Sequence, residues 1–133
     1  MRYLLDTNIC IYIIKQKPQK VLDKFQTLSI CDVGISSITV AELEYGVAKS
    51  QQQEKNRTAL LQFLLPLEIV DFKPAAATIY GSIRSDLESR GIIIGAMDML
   101  IAAHALSLGV ILVTNNIREF SRIPTLLLEN WVD

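Results

Sequence analysis

Four acids occupy places where short apolar runs give way to helical patterns: Asp6 in Leu4-Leu5-Asp6-Thr7-Asn8, Glu42 in Ser36-Ser37-Ile38-Thr39-Val40-Ala41-Glu42, Asp98 in Gly95-Ala96-Met97-Asp98, and Glu119 in Thr114-Asn115-Asn116-Ile117-Arg118-Glu119. Brought together, they cannot all stay ionised without a counter-charge, because two carboxylates ~4 Å apart repel by roughly 4 kcal/mol at an effective dielectric of 20. A divalent cation is the simplest remedy. All-oxygen ligands without a Cys/His cluster favour Mg2+, with Mn2+ as a substitute, over zinc, and Mg2+ sits naturally between carboxylates and phosphate oxygens. The expected chemistry is phosphodiester hydrolysis. The metal would stabilise charge growing on phosphorus and on the leaving oxygen, while a carboxylate orients or deprotonates the attacking water.

Each acid also has a purely local explanation. Asp6 suits an Asx-turn or the cap of a first helix, Asp98 is a good N-cap, Thr39-x-x-Glu42 matches a capping box, and Asn116-x-x-Glu119 resembles one loosely. Capping accounts for each acid singly. It does not account for four distant segments delivering acids to one place, and whether they do so depends on the elements that carry them.

Arg2 to Leu5, Val33 to Ser36, Leu67 to Phe72, Val110 to Val113 and Leu126 to Glu129 read as short strands, mostly continuous apolar runs of the kind buried on both faces of a sheet. Helical patterns fill 7–16, 19–28, 39–49, 52–65, 75–90 and 98–108. This alternation predicts an α/β fold, a three-layer α/β/α sandwich with a central parallel sheet of about five strands and right-handed crossovers. No repeat or linker divides the chain, so residues 1–133 are expected to form a single domain. In open parallel sheets, sites form beyond the carboxyl ends of the strands, where the following helices begin. Asp6 directly follows the first strand, and Glu42 is placed in the first turn after the second. Asp98 opens the helix that leads back into the fourth strand, and Glu119 lies one turn beyond that strand. All four acids are therefore expected at one edge.

At 133 residues the chain can bury roughly two-thirds of its unfolded surface, enough for a core without staples. Half the residues are hydrophobic and mean hydropathy is +0.32, which excludes a disordered chain and suggests that partners cover some apolar surface. No apolar stretch reaches the ~18 residues of a membrane span, and an acid at position 6 is poorly placed for a signal peptide, so a cytoplasmic protein is expected. Cys10 and Cys31 fit neither a disulfide framework nor a zinc site, and are read as buried thiols. The balance of 13 basic against 14 acidic residues argues against a general polyanion-binding surface. If four acids serve a metal, the remaining chain is positive, with Lys15, Lys17, Lys20, Lys24, Arg84, Arg90, Arg118 and Arg122 as its bases. Lys15 to Lys24 also read as an ordinary solvated helix face.

The motifs together resemble the PIN-domain ribonucleases and, among them, the VapC toxins of bacterial VapBC toxin–antitoxin modules. They are Leu5-Asp6-Thr7-Asn8, Ser37-Ile38-Thr39-Val40-Ala41-Glu42-Leu43, Gly95 with Asp98 and Ile101-Ala102-Ala103-His104-Ala105, and Thr114-Asn115-Asn116-x-x-Glu119-Phe120, spread over essentially the whole chain. The resemblance implies a PIN-like fold and Asp6, Glu42 and Asp98 as the core acids. Asp6 and Asp98 would be the direct Mg2+ ligands, with Glu42 helping to hold the metal or its water. The family's last acid is commonly Asp, and the matching Glu119 is one methylene longer. Thr114 and Asn116 match polar positions that support the acids by hydrogen bonding, as Thr7 and Asn8 would. The implied activity is endoribonuclease cleavage of structured RNA. Glu129-Asn130-Trp131 and the Asn-Asn-x-x-Glu-Phe stretch resemble the enteric group that cuts initiator tRNA in its anticodon stem-loop. The implied partners are a second copy of the chain and a VapB antitoxin that wraps the toxin and blocks its site, often with a basic side chain.

Among the remaining residues, helical periodicity turns His104 about 120° away from Asp98, toward a packing or supporting role. Trp131, Phe120 and Tyr80 could stack on bases, but core or interface packing is the simpler expectation. Two rivals to a nuclease are a catalytically silent RNA-binding module on the same fold, for which no acid is missing, and a phosphoacceptor receiver domain. The receiver reading would use Asp71 with Thr114 near the fourth strand. It lacks an adjacent acidic pair after the first strand and a Lys just after the fifth.

Overall fold

The computed structural model describes residues 1–133. In chain order the elements are β1 (Tyr3–Leu5), α1 (Thr7–Lys15), α2 (Gln19–Gln26), a short 3-10 turn (Ile30–Asp32), β2 (Val33–Ser36), α3 (Ser37–Ala48), α4 (Gln53–Leu64), β3 (Glu68–Val70), α5 (Pro74–Ser89), α6 (Ala96–Leu108), β4 (Ile111–Val113), α7 (Ile117–Phe120) and β5 (Leu128–Glu129). The strands form one five-stranded sheet in the order β3-β2-β1-β4-β5, with every neighbouring pair parallel. The order reverses at β1, which pairs with β2 on one side and β4 on the other, and Asp6 immediately follows β1.

Successive residues of a strand face opposite sides of the sheet, and β1 shows the consequence. Tyr3 and Leu5 join a core with Ile9, Val21, Leu43, Val47, Leu60 and Trp131, on the face covered by α1, α3 and α4. Leu4 points the other way, into a core with Leu87, Met99, Ile101, Ala102 and Phe120 beneath α5 and α6. Because both faces are covered, β1 is buried along its length and needs no polar alternation. The three-layer architecture is thus the expected one. Trp131 and Phe120 are core residues, Trp131 packing edge-on against Tyr3 with ring centroids 5.6 Å apart. No helix is long and apolar enough to cross a membrane.

Several local expectations need correction. Helix α3 begins at Ser37, capped by Ser36, whose Oγ accepts from the Ile38 amide. Glu42 consequently lies in the second turn, and no Thr39–Glu42 capping box forms; the Thr39 hydroxyl is buried without a partner. Helix α6 is preceded by Gly95, so Asp98 is its third residue and caps nothing. Asn116 precedes α7 without a side-chain cap bond. Cys10 is buried, but Cys31 is exposed on the short 3-10 turn. Asp71 is exposed beyond β3, the outermost strand, which removes it from the site that the receiver reading required.

Candidate active site

The carboxyl ends of β1, β2 and β4 deliver the four acids from α1, α3, α6 and α7. Asp6 is the most deeply placed, 3% exposed, and serves two masters. Its Oδ1 accepts from the Thr7 amide at 2.8 Å and caps α1, while its Oδ2 accepts from the Thr114 hydroxyl at 2.8 Å. Thr114, fully buried just after β4, also accepts from the Asn116 amide at 2.9 Å. One hydroxyl therefore ties Asp6 to the turn that leads into α7. Glu42 is held from a third element: the Thr7 hydroxyl donates to its Oε1 at 2.6 Å. Thr7 thus links Asp6 and Glu42 through its backbone and side chain respectively.

Charge joins the four. Asp98 is half-buried, and its pKa is raised to about 6 by burial first and then by the negative charges of Asp6, Glu42 and Glu119. Burial also raises Asp6, against the opposing pull of its hydrogen bonds from Thr114 and Thr7, and Glu42 adds to the rise. None of the molecule's four ion pairs includes any of these carboxylates. The side chains line an open edge and do not close into a chelate, for no three His, Cys, Asp or Glu stand close enough to grip an ion together. Asp6 and Asp98, which are electrostatically coupled and make no ion pair, are the residues that could hold a cation.

Not every supporting residue named from the sequence is placed to support. Thr7 and Thr114 hold acids directly. Asn8 is exposed in the first turn of α1 and its side chain makes no hydrogen bond, and Asn116 contributes its backbone amide to Thr114 and not its side chain. Two contacts were not read from sequence. Asn115 donates to the Tyr12 hydroxyl at 3.0 Å, fastening the turn after β4 to α1. His104, which is 1% exposed, pairs through Nδ1 with Ser36 Oγ at 2.7 Å. A lone His on an apolar helix gives no signal of its distant partner.

A parallel sheet whose strand order reverses beside a cluster of acids in no ion pair places the chain among open α/β folds with a polar edge, and its likeness to known proteins names the family. The profile described as PIN domain matches residues 3–126. Ribonuclease VapC2 of Rickettsia felis is 49% identical over 98% of both chains, and the tRNA(fMet)-specific endonuclease VapC of Shigella flexneri is 44% identical over 98% of both. The crystal structure of VapBC2 from Rickettsia felis bound to a promoter DNA fragment superposes with a TM-score of 0.92 at 48% identity, over 98% of this chain and 99% of that one. The chain belongs to the VapC family of PIN-domain ribonuclease toxins, the toxin half of VapBC toxin–antitoxin modules.

Proposed function

We propose that this protein is a Mg2+-dependent endoribonuclease that hydrolyses phosphodiester bonds in structured RNA, with initiator tRNA as its target and a VapB antitoxin as its inhibitor. The observation that carries this reading is the mutual electrostatic influence of Asp6, Glu42, Asp98 and Glu119, from four elements, with none of them in an ion pair. Asp6 and Asp98 would hold the ion, which supplies neutralisation of the phosphate and a more acidic water. Thr114 and Thr7 fix the two oxygens of Asp6, and Thr7 fixes Oε1 of Glu42, leaving Oε2 able to orient the attacking water and take its proton. Glu119, on α7, adds negative charge that acts on Asp98.

The RNA target rests on likeness to the Shigella flexneri enzyme, whose name states tRNA(fMet) specificity. The antitoxin rests on the module to which the family belongs and on a fitting surface. A largely apolar groove of about 310 Å3, lined by Ile11, Ile14, Leu43, Val47 and Leu60 with Lys15 among them, runs to Glu42. An apolar segment lying there could place a basic side chain against the acids. Exposed Leu61 and Leu65, 57% and 87% accessible, offer apolar surface for a second copy.

The test uses antitoxin-free protein with initiator and elongator methionine tRNA transcripts, read by sequencing the new ends. Cleavage of the initiator tRNA in its anticodon stem-loop should stop in EDTA and return with Mg2+ or Mn2+. Equal cleavage with and without chelator would remove the metal from the mechanism, and equal cleavage of both tRNAs would remove the target. A milder effect is expected from Thr7→Val, which frees Glu42 but keeps the amide that Asp6 caps. Turnover should fall about ten-fold, as for loss of a ligand's supporting hydrogen bond. Unchanged turnover in single-turnover assays would show that Glu42 needs no such hold.

A further inference from the structure

We infer that His104 is a positioning residue for RNA cleavage: through Ser36 it fixes the start of α3 against α6, and so sets Glu42 relative to Asp98. The inference rests on the four-acid edge being the catalytic site. His104 lies six residues beyond Asp98 on α6, about 9 Å further along the helix at 1.5 Å per residue, too far along to share that acid's work directly. It faces instead the junction where β2 becomes α3. Its ring packs edge-on against Phe72, centroids 5.4 Å apart, and the Phe72 amide donates to Ser37 Oγ at 3.2 Å. The β3–α5 loop thereby closes the same junction.

The surrounding hydrogen bonds favour one state of the ring. Ser36 is completely buried, and its Oγ already accepts from the Ile38 amide at 3.0 Å to cap α3. The tautomer with Nδ1 of His104 unprotonated gives the Ser36 hydroxyl proton an acceptor 2.7 Å away. The proton of the neutral ring sits on Nε2, near the Asp71 main chain, though no acceptor reaches Nε2 at good geometry. Burial lowers the His104 pKa against the pull of Asp71, the one charged group acting on the ring, and so maintains the neutral form. A bond between neutral groups in a dry junction holds its direction well, because no water is at hand to replace either partner of the pair. Ser36 is the N-cap of the helix that carries Glu42, and His104 lies on the helix that carries Asp98. This pair is the side-chain hydrogen bond joining those two helices.

The experiment is a double-mutant cycle on the full chain with the RNA substrate, run well below every variant's melting temperature. His104→Leu and Ser36→Ala should each lower kcat about ten-fold with KM within about two-fold, and the double variant should be no worse than about ten-fold. His104→Asn, whose Oδ1 takes the place of Nδ1 as acceptor, should recover most of kcat. Multiplying losses in the double variant would overturn the proposal. So would a His104→Asn no better than His104→Leu, or lower melting temperatures with kcat intact. Asp98→Asn assayed alongside separates two failures: an active Asp98→Asn removes the site itself, whereas an inactive one beside a fully active His104→Leu removes only this role.

Discussion

Replacing Asp98 with Asn should cut RNA cleavage by about a hundred-fold or more and, in metal-free buffer near neutral pH, make the protein harder to melt. The two effects have one origin. Asp98 is half-buried among three other carboxylates, and its pKa stands at about 6 where 3.8 is ordinary. A carboxyl whose folded pKa is raised binds its proton more tightly folded than unfolded, so the fold loses stability as pH climbs from about 4 through about 6. Above that window the negative charge is a standing cost. Asn carries no charge at any pH and escapes it.

The shift corresponds to less than its full value in free energy, because the carboxylate is partly solvated; about 1 kcal/mol is the reasonable expectation. For a chain of this size that raises the melting temperature by about 3 °C. The gap between variant and wild type should vanish near pH 4 and reach its plateau above about pH 6.5. Adding Mg2+ should raise the melting temperature of the wild type and leave the variant nearly unmoved. A wild type that melts above Asp98→Asn at every pH in EDTA would show that Asp98 serves the fold, and the functional reading would fail with it.

The sequence reached the edge of the sheet but not the fine structure along it. Continuous apolar runs such as Val33 to Ser36 announced a sheet covered on both faces, and parallel topology alone then placed the residues following β1, β2 and β4 side by side. The caps were less legible. Thr39 and Glu42 have the spacing of a box, yet Ser36 and Ser37 offer an earlier start, and the helix takes it because Ser36 is already positioned by β2 pairing, opposite Val70. Moving the helix start two residues earlier carried Glu42 into the second turn, where Thr7 reaches it. Gly95 likewise begins α6 earlier than Asp98 would have. That the side chains of Asn8 and Asn116 make no hydrogen bond to the acids has a similar cause: their motifs specify residue types near the acids, while burial decides which side chains turn inward. The contact between His104 and Ser36 spans 68 positions and left no local trace.

Asp6 allows capping and catalysis to be separated within one side chain. Asp6→Asn and Asp6→Ala should both lose RNA cleavage by about a hundred-fold or more, but the alanine variant should lose more stability, because it alone also loses the cap of α1. Asn keeps an oxygen for the Thr7 amide, so the cap of α1 survives, although its amide group faces Thr114 as a donor where the carboxylate accepted, so the Thr114 hydroxyl proton loses its acceptor in both variants. Ala removes the cap and leaves the Thr114 hydroxyl without its acceptor in a fully buried position. Together those losses cost about 2–3 kcal/mol. Part of that cost is offset, since the buried carboxylate is itself held above its ordinary pKa and its charge is lost too. The comparison is decided by denaturant midpoints and cleavage rates measured on the same preparations. If Asp6→Asn cleaves RNA at the wild-type rate while Asp6→Ala unfolds early, the residue at the end of β1 is a helix cap and nothing more, and the remaining three acids lose the ligand around which they are arranged.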